Sequence, residues 1–175
     1  MRKQSPDLKT WWWYHKTHVL IGAAALAVVL YALLPGLLAA KPDYCLAIVS
    51  RAYVSDETRE AVRERLQPLL PDRNGDGQVL LEVYTYGADL SGQTEGSLNY
   101  AEAARLDADL VGKVSGFFLL DDAEGFQRNT AVPAAQPVPW TQVPAFADLA
   151  LPEDWTFTAR TDANAIELLP SLLSP

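Results

Sequence analysis

The fold is decided by YCLAIVS, Tyr44–Ser50. The run is apolar without alternation and lies between Pro42-Asp43 and Ser50-Arg51. A strand with one wet face alternates apolar and polar residues. A strand that does not alternate is buried on both faces, as in a parallel sheet covered by helices. Such a strand requires neighbours on both edges and helices above and below, so the chain around it is expected to be α/β.

The neighbours can be read in order. Ser55 is placed to cap a helix, with Asp56 and Glu57 in its first turn. Val62, Leu66, Leu69 and Leu70 recur at helical spacing on one apolar face, and Pro68 and Pro71 disturb its end. QVLLEVYTY then alternates: Val79, Leu81 and Val83 share one face, and Glu82, Tyr84 and Tyr86 share the other. Gly87–Gly96 reads as loop. Ser97 is expected to cap a second helix carrying Ala103, Leu106, Leu110 and Val111, stopped by a left-handed Gly112. GFFLLDD gives a third buried strand that ends at Asp121 and Asp122.

The expectation is therefore β-α-β-α-β in a small open, mainly parallel sheet of order 2-1-3, flanked by helices. WTFTAR, which places Trp155, Phe157 and Ala159 opposite Thr156, Thr158 and Arg160, offers a fourth strand. The proline-rich stretch 131–150 is expected to be extended. Asp162 is expected to cap a short last helix carrying Ile166 and Leu169 and ended by Pro170.

Ahead of this domain, Val19–Ala40 carries no charge. At about 1.5 Å per residue a helix of that length matches the roughly 30 Å hydrocarbon core of a bilayer. Trp11, Trp12, Trp13 and Tyr14 precede it as an interfacial belt. Residues 1–18 hold Arg2, Lys3, Lys9 and Lys16 against Asp7, which places the N-terminus in the cytoplasm and residues 41–175 outside. A retained single-pass anchor is favoured over a cleaved signal. The apolar run exceeds the usual ~7–15 residues of a signal, and Leu38 spoils the small-residue cleavage pattern.

Composition narrows the chemistry. Residues 41–175 hold ten Lys and Arg against 21 Asp and Glu, a net charge of about −11. That surface repels nucleic acid, so none is expected as a partner. Both histidines, His15 and His18, precede the apolar run. The external domain therefore has no Ser-His-Asp or Cys-His machinery and no imidazole for zinc. Cys45 is the only cysteine, so it has no internal disulfide partner.

Two candidate sites remain. DRNGDG, Asp72–Gly77, matches the first half of a calcium loop. Asp72, Asn74 and Asp76 supply oxygens at alternate positions, and Gln78 supplies a backbone carbonyl. Position twelve is Val83, so Glu82, or Asp121 or Asp122, would have to complete the shell. A plain turn is the competing reading, and a bound calcium would be a structural staple. The second site is the carboxyl edge of the parallel strands, where Ser50, Arg51, Tyr86, Asp121 and Asp122 are the ligand-edge candidates. A helix N-cap competes there for the Asp pair. A hydrolase built on Asp121, Asp122 or Glu124 lacks an arguable nucleophile-base pair.

DYCLAIVS, DRNGDGQVLLEVYTY, RLDADLVGKVSGFFLLDD and LPEDWTFTAR, after a basic-aromatic start and one apolar helix, resemble a group of uncharacterised single-pass bacterial membrane proteins. Their external domain is similar to the first lobe of an extracellular solute-binding protein. The anchor, the acidic domain, its missing histidines and a length of 135 residues, which makes at most one lobe, favour a non-enzymatic extracytoplasmic binding domain whose partners are the bilayer and another membrane or extracytoplasmic protein. The resemblance offers the alternative of a solute-capturing accessory of a transporter, for which Tyr84, Tyr86 and Tyr100 are candidate crevice linings, with core or surface packing the competing reading. Neither reading requires a cofactor, and structural calcium is the one candidate.

Overall fold

A computed structural model describes residues 8–38, 41–87 and 99–174. The chain divides into two compact units, 1–40 and 41–175.

The first unit is one helix, α1, Leu8–Leu38. It begins before the aromatic belt and continues through Pro35-Gly36. Within it, Trp11–Ala32 is long and apolar enough to cross a membrane. Helical spacing pairs the belt with its polar neighbours. His15 stacks on Trp11 at 4.9 Å between ring centroids, and Lys16 Nζ lies 4.0 Å over the Trp13 ring.

The second unit is a mixed five-stranded sheet between helices. Its strands are β1 (Tyr44–Val49), β2 (Leu81–Tyr86), β3 (Phe117–Leu120), β4 (Val138–Pro139) and β5 (Thr156–Ala159), in the order β2-β1-β3-β5-β4. The expected 2-1-3 core is present, and β1 is parallel to both neighbours. WTFTAR supplies the further strand β5, antiparallel to β3, with Phe157 opposite Leu119. β4 comes from the proline-rich stretch and is only two residues long, because Pro137 and Pro139 have no N–H to donate to a ladder.

Every residue of β1 is buried, as its lack of alternation requires. Tyr44, Leu46 and Ile48 point into one core with Leu81, Phe117, Leu119 and Phe157. That core is covered by α2 (Asp56–Leu66), by α5 (Ala165–Leu172) and by Trp140, Val143 and Phe146 of the proline-rich stretch. Ala47 and Val49 point the other way, with Phe118 and Leu120, under α3 (Asn99–Gly112) and α4 (Ala123–Asn129). Phe157 lies between Phe117 (5.8 Å, stacked) and Phe146 (5.6 Å, edge-on).

Ser55 caps α2 as expected, accepting from the Thr58 N–H at 3.1 Å. Several local expectations are corrected. Leu69 is exposed, because Pro68 tightens the chain into a 3₁₀ turn over Gln67–Leu69 and rotates Leu69 off the apolar face. Val111 is also exposed, and Asp109 takes the buried position beside Leu110. The left-handed stop after α3 is Lys113, φ 53°, and not Gly112. Asp162 does not cap the last helix: its carboxylate is held by Lys113 and Arg160, and α5 begins after Asn164. Pro170 does not end α5 but lies inside it. The burial of Leu169 and Leu172 offsets the one lost hydrogen bond. The Ser97 cap falls outside the described residues.

Because Phe157 is fully buried between Phe117 of the sheet and Phe146 of its cover, Phe157→Ala should cost about 3–5 kcal/mol. Urea unfolding of the full chain should show a lower midpoint at unchanged slope. A loss under about 1 kcal/mol would mean that this ring does not join the sheet to its cover.

Candidate functional site

The carboxyl edge forms where β1 and β3 end side by side. Parallel pairing sets Val49 beside Leu120, so Ser50 and Asp121 emerge as neighbours. The Asp121 carboxylate accepts from Ser50 Oγ (3.3 Å), the Arg51 N–H (2.7 Å) and Arg51 Nε (3.3 Å). Its side chain is 7% exposed, whereas that of Arg51 is 51% exposed. Asp122 accepts from the Gly125 N–H at 2.7 Å and caps α4. Ser50, Arg51 and Asp121 are thus brought together, Asp122 serves the helix, and Tyr86 goes elsewhere. The Tyr86 ring packs in the α3-side core and its hydroxyl donates to Asp109 at 2.7 Å. Tyr84 packs against Tyr86 with centroids 6.5 Å apart, while Tyr100 stands exposed, so the three tyrosines line no common crevice. Just past Arg51 the turn presents Tyr53 to solvent at 88% exposure.

The DRNGDG loop is closed by its own side chains. Asp72 accepts from the Gly75 and Gly77 N–H groups at 2.7 and 2.8 Å. Asn74 accepts from Asp76 N–H, and Asp76 accepts from Gln78 N–H, both at 2.8 Å. Gly75 and Gly77 have φ 75° and 83°, a conformation that a side chain would strain. Glu82 is engaged elsewhere, accepting from the Tyr84 hydroxyl. The Asp121 carboxylate is held at the other site by Ser50 and Arg51, and Asp122 by α4. Among the described residues, no three of His, Cys, Asp and Glu gather in a metal-holding group.

Three polar residues that the sequence reading did not single out organise these sites. Asp43, 5% exposed, accepts from the Arg73 (3.2 Å), Asn74 (3.0 Å) and Leu80 (2.9 Å) N–H groups and so pins the loop to the start of β1. These donors, Leu80 foremost, hold its carboxyl below the usual 3.8. Asp109, also buried, accepts from the Ser115 N–H and hydroxyl and from Tyr86. Burial and the Asp109 bond together push the Tyr86 hydroxyl pKa upward. Arg160, 4% exposed, donates to the Leu110 carbonyl at 3.0 Å and to Asp162 at 2.7 Å. Asp109 had a readable signal, since it falls on the apolar stripe of its helix. Asp43 belongs to no periodic pattern, and Arg160 sits on the polar side of the WTFTAR alternation, where its burial leaves no trace. Burial pushes the Cys45 thiol up to about 11, so it is no thiolate nucleophile at neutral pH.

The architecture is an α/β domain with a mixed sheet, preceded by one helix long and apolar enough to cross a membrane. Compared with protein-family models, curated proteins and solved structures, the chain matches none.

Asp43→Ala leaves three backbone N–H groups without their charged acceptor and should cost about 3 kcal/mol. Because the folded carboxyl titrates below its ordinary value, its contribution is complete above that value. It is lost as pH falls through the lower folded one. Urea unfolding from pH 6 downward should therefore steepen below about pH 4 in the wild type and be flatter in the variant. Parallel pH profiles would show that Asp43 is not the pin.

Proposed function

We propose that residues 41–175 form a membrane-tethered extracytoplasmic domain that acts by binding a partner protein, without turnover. The observation that carries this reading is the state of the carboxyl edge. Asp121 is spent on Ser50 and Arg51, and Asp122 on its helix, while the turn beyond shows Arg51 and Tyr53 to solvent. Arginine and tyrosine are the residue types that anchor protein contacts. The tether rests on Trp11–Ala32, and its direction rests on the basic residues before it.

A solute-capturing role is the second reading. It is favoured by a groove of about 500 Å³ between α3 and the segment after α4, lined by Leu110, Val111, Val132, Pro133, Lys113 and Arg160. The groove has the volume of a small-molecule site, and because Asp162 pairs with both Lys113 and Arg160 and Asp107 also lines it, its charges balance and it suits a neutral solute. A calcium staple held by Asp72, Asn74, Asp76 and the Gln78 carbonyl belongs to the same proposal and does not include Glu82.

Three measurements test the partner site, the topology and the staple. A photo-crosslinker at Tyr53 should give one recurrent adduct in native membranes, and one at exposed Ser171 should not. Equal labelling at both positions removes the edge as the interface. A C-terminal tag should be cut by protease added to intact spheroplasts, and a tag cut only after lysis inverts the topology. Millimolar calcium should raise the melting temperature of the full chain, with the gain lost in Asp76→Ala. An unchanged wild-type melting curve disposes of the staple.

A further inference from the structure

β2 and β4 are the two edges of the sheet, and they are not equivalent. β4 is two residues long and contains Pro139, so it offers almost no ladder. β2 is six residues long, contains neither proline nor lysine, and pairs only with β1.

The register tells which backbone groups of β2 remain. Tyr44 N–H donates to the Leu80 carbonyl and Ser50 N–H to the Tyr86 carbonyl. In a parallel ladder alternate residues face the neighbour, so Leu80, Glu82, Tyr84 and Tyr86 face β1. Leu81, Val83 and Thr85 face outward. The outward Leu81 N–H meets the Gln67 side chain at a long 3.4 Å. Among the described residues nothing bonds the outward groups of Val83 and Thr85. Val83 and Thr85 are half-buried, as residues at an open edge are.

We propose that this edge pairs with the same edge of a second copy of the chain, antiparallel about a two-fold axis at Val83, to form one continuous sheet. In that register Val83 faces Val83 of the other copy and Leu81 faces Thr85, giving about six backbone hydrogen bonds. Glu82 falls opposite Tyr84, so no like charges meet across the seam. The charges around the edge suit a copy of itself. The notch beside Val83 and Tyr84 is lined by Arg59, Arg63, Glu60 and Glu82, two of each sign. The rest of this acidic domain would repel its like, and this balanced patch is where approach costs least. One open edge and one blunted edge also make the pairing stop at two, where two open edges would continue into a fibre.

The inference is independent of the proposed partner binding, which uses the carboxyl edge, and it is tested on the full chain in detergent micelles. Detergent-corrected light scattering should give the mass of a dimer. Thr85→Pro removes an outward N–H and leaves the β1 ladder intact, so it should give a monomer with an unchanged near-ultraviolet circular dichroism spectrum. Val83→Cys should form a disulfide dimer under mild oxidation, because residues facing each other across an antiparallel pair sit about 5.5 Å apart, within disulfide reach. Val138→Cys on the blunted edge should not. A monomeric wild type overturns the proposal, as does a dimer that survives Thr85→Pro. A Val83→Cys that links to other proteins but never to itself overturns it too.

Discussion

β1 has no face to spare. Its six residues are each less than a tenth exposed, and they alternate between two separate cores. Backbone groups in such a place must be paired, because water cannot reach them. β2 and β3 therefore have to lie along its edges, and helices have to cover both faces. The parallel sense of both pairings follows from chain order, since each neighbour is reached through a helix and not a tight turn. Removing the cover from either face would expose a strand that has no polar residue to present.

The second constraint is charge. A domain with a twofold excess of carboxylates buries or half-buries a few of them, and it places them where backbone N–H groups converge. Asp43 takes three N–H donors, Asp109 takes one with two hydroxyls, and Asp122 takes the first turn of α4. Each acid joins segments that hydrophobic burial alone leaves in loose register: loop to strand, helix end to strand start, strand end to helix. Hydrogen bonds to a charged acceptor contribute about 1.5–3 kcal/mol, enough to fix a loop but not to form a core. The carboxylates at the sheet's carboxyl edge obey the same logic. That edge is therefore a joint before it is a pocket.

The core was legible in the sequence, and the joints were less so. Unbroken apolar runs and period-two alternation located β1, β2, β3 and β5, because burial constrains whole faces and leaves a repeating trace. The Ser55 cap was legible because a cap is local. Asp43 was not, because its partners lie 30 to 37 positions away and no spacing encodes them. Arg160 looked like a solvent-side residue of an alternating strand. In the fold that face is covered by the end of α3, so its guanidinium is buried against Leu110 and Asp162. Lys113 takes the left-handed position that Gly112 was expected to fill, and the chain reaches Ser115 two residues later, in place for Asp109. The candidate site shows the same divide: the residues of the carboxyl edge were named, but their mutual saturation depends on the register of two strands.

Most other carboxylates among the described residues are at least partly exposed, and they bear on how a tethered domain would behave. At physiological ionic strength charges act over about 8 Å, so a net charge near −11 repels an anionic bilayer only at close range. On the proposed topology, that repulsion keeps the domain from lying flat on headgroups and leaves its surface open to proteins. Arg51, Arg59 and Arg63, each paired with a neighbouring acid, then form charge-balanced points in an acidic field, at the carboxyl edge and beside the open strand. A partner met through such points is selected by local charge complementarity, because the field as a whole turns most acidic surfaces away. The same domain can thus be sparing in what it touches without having a deep pocket.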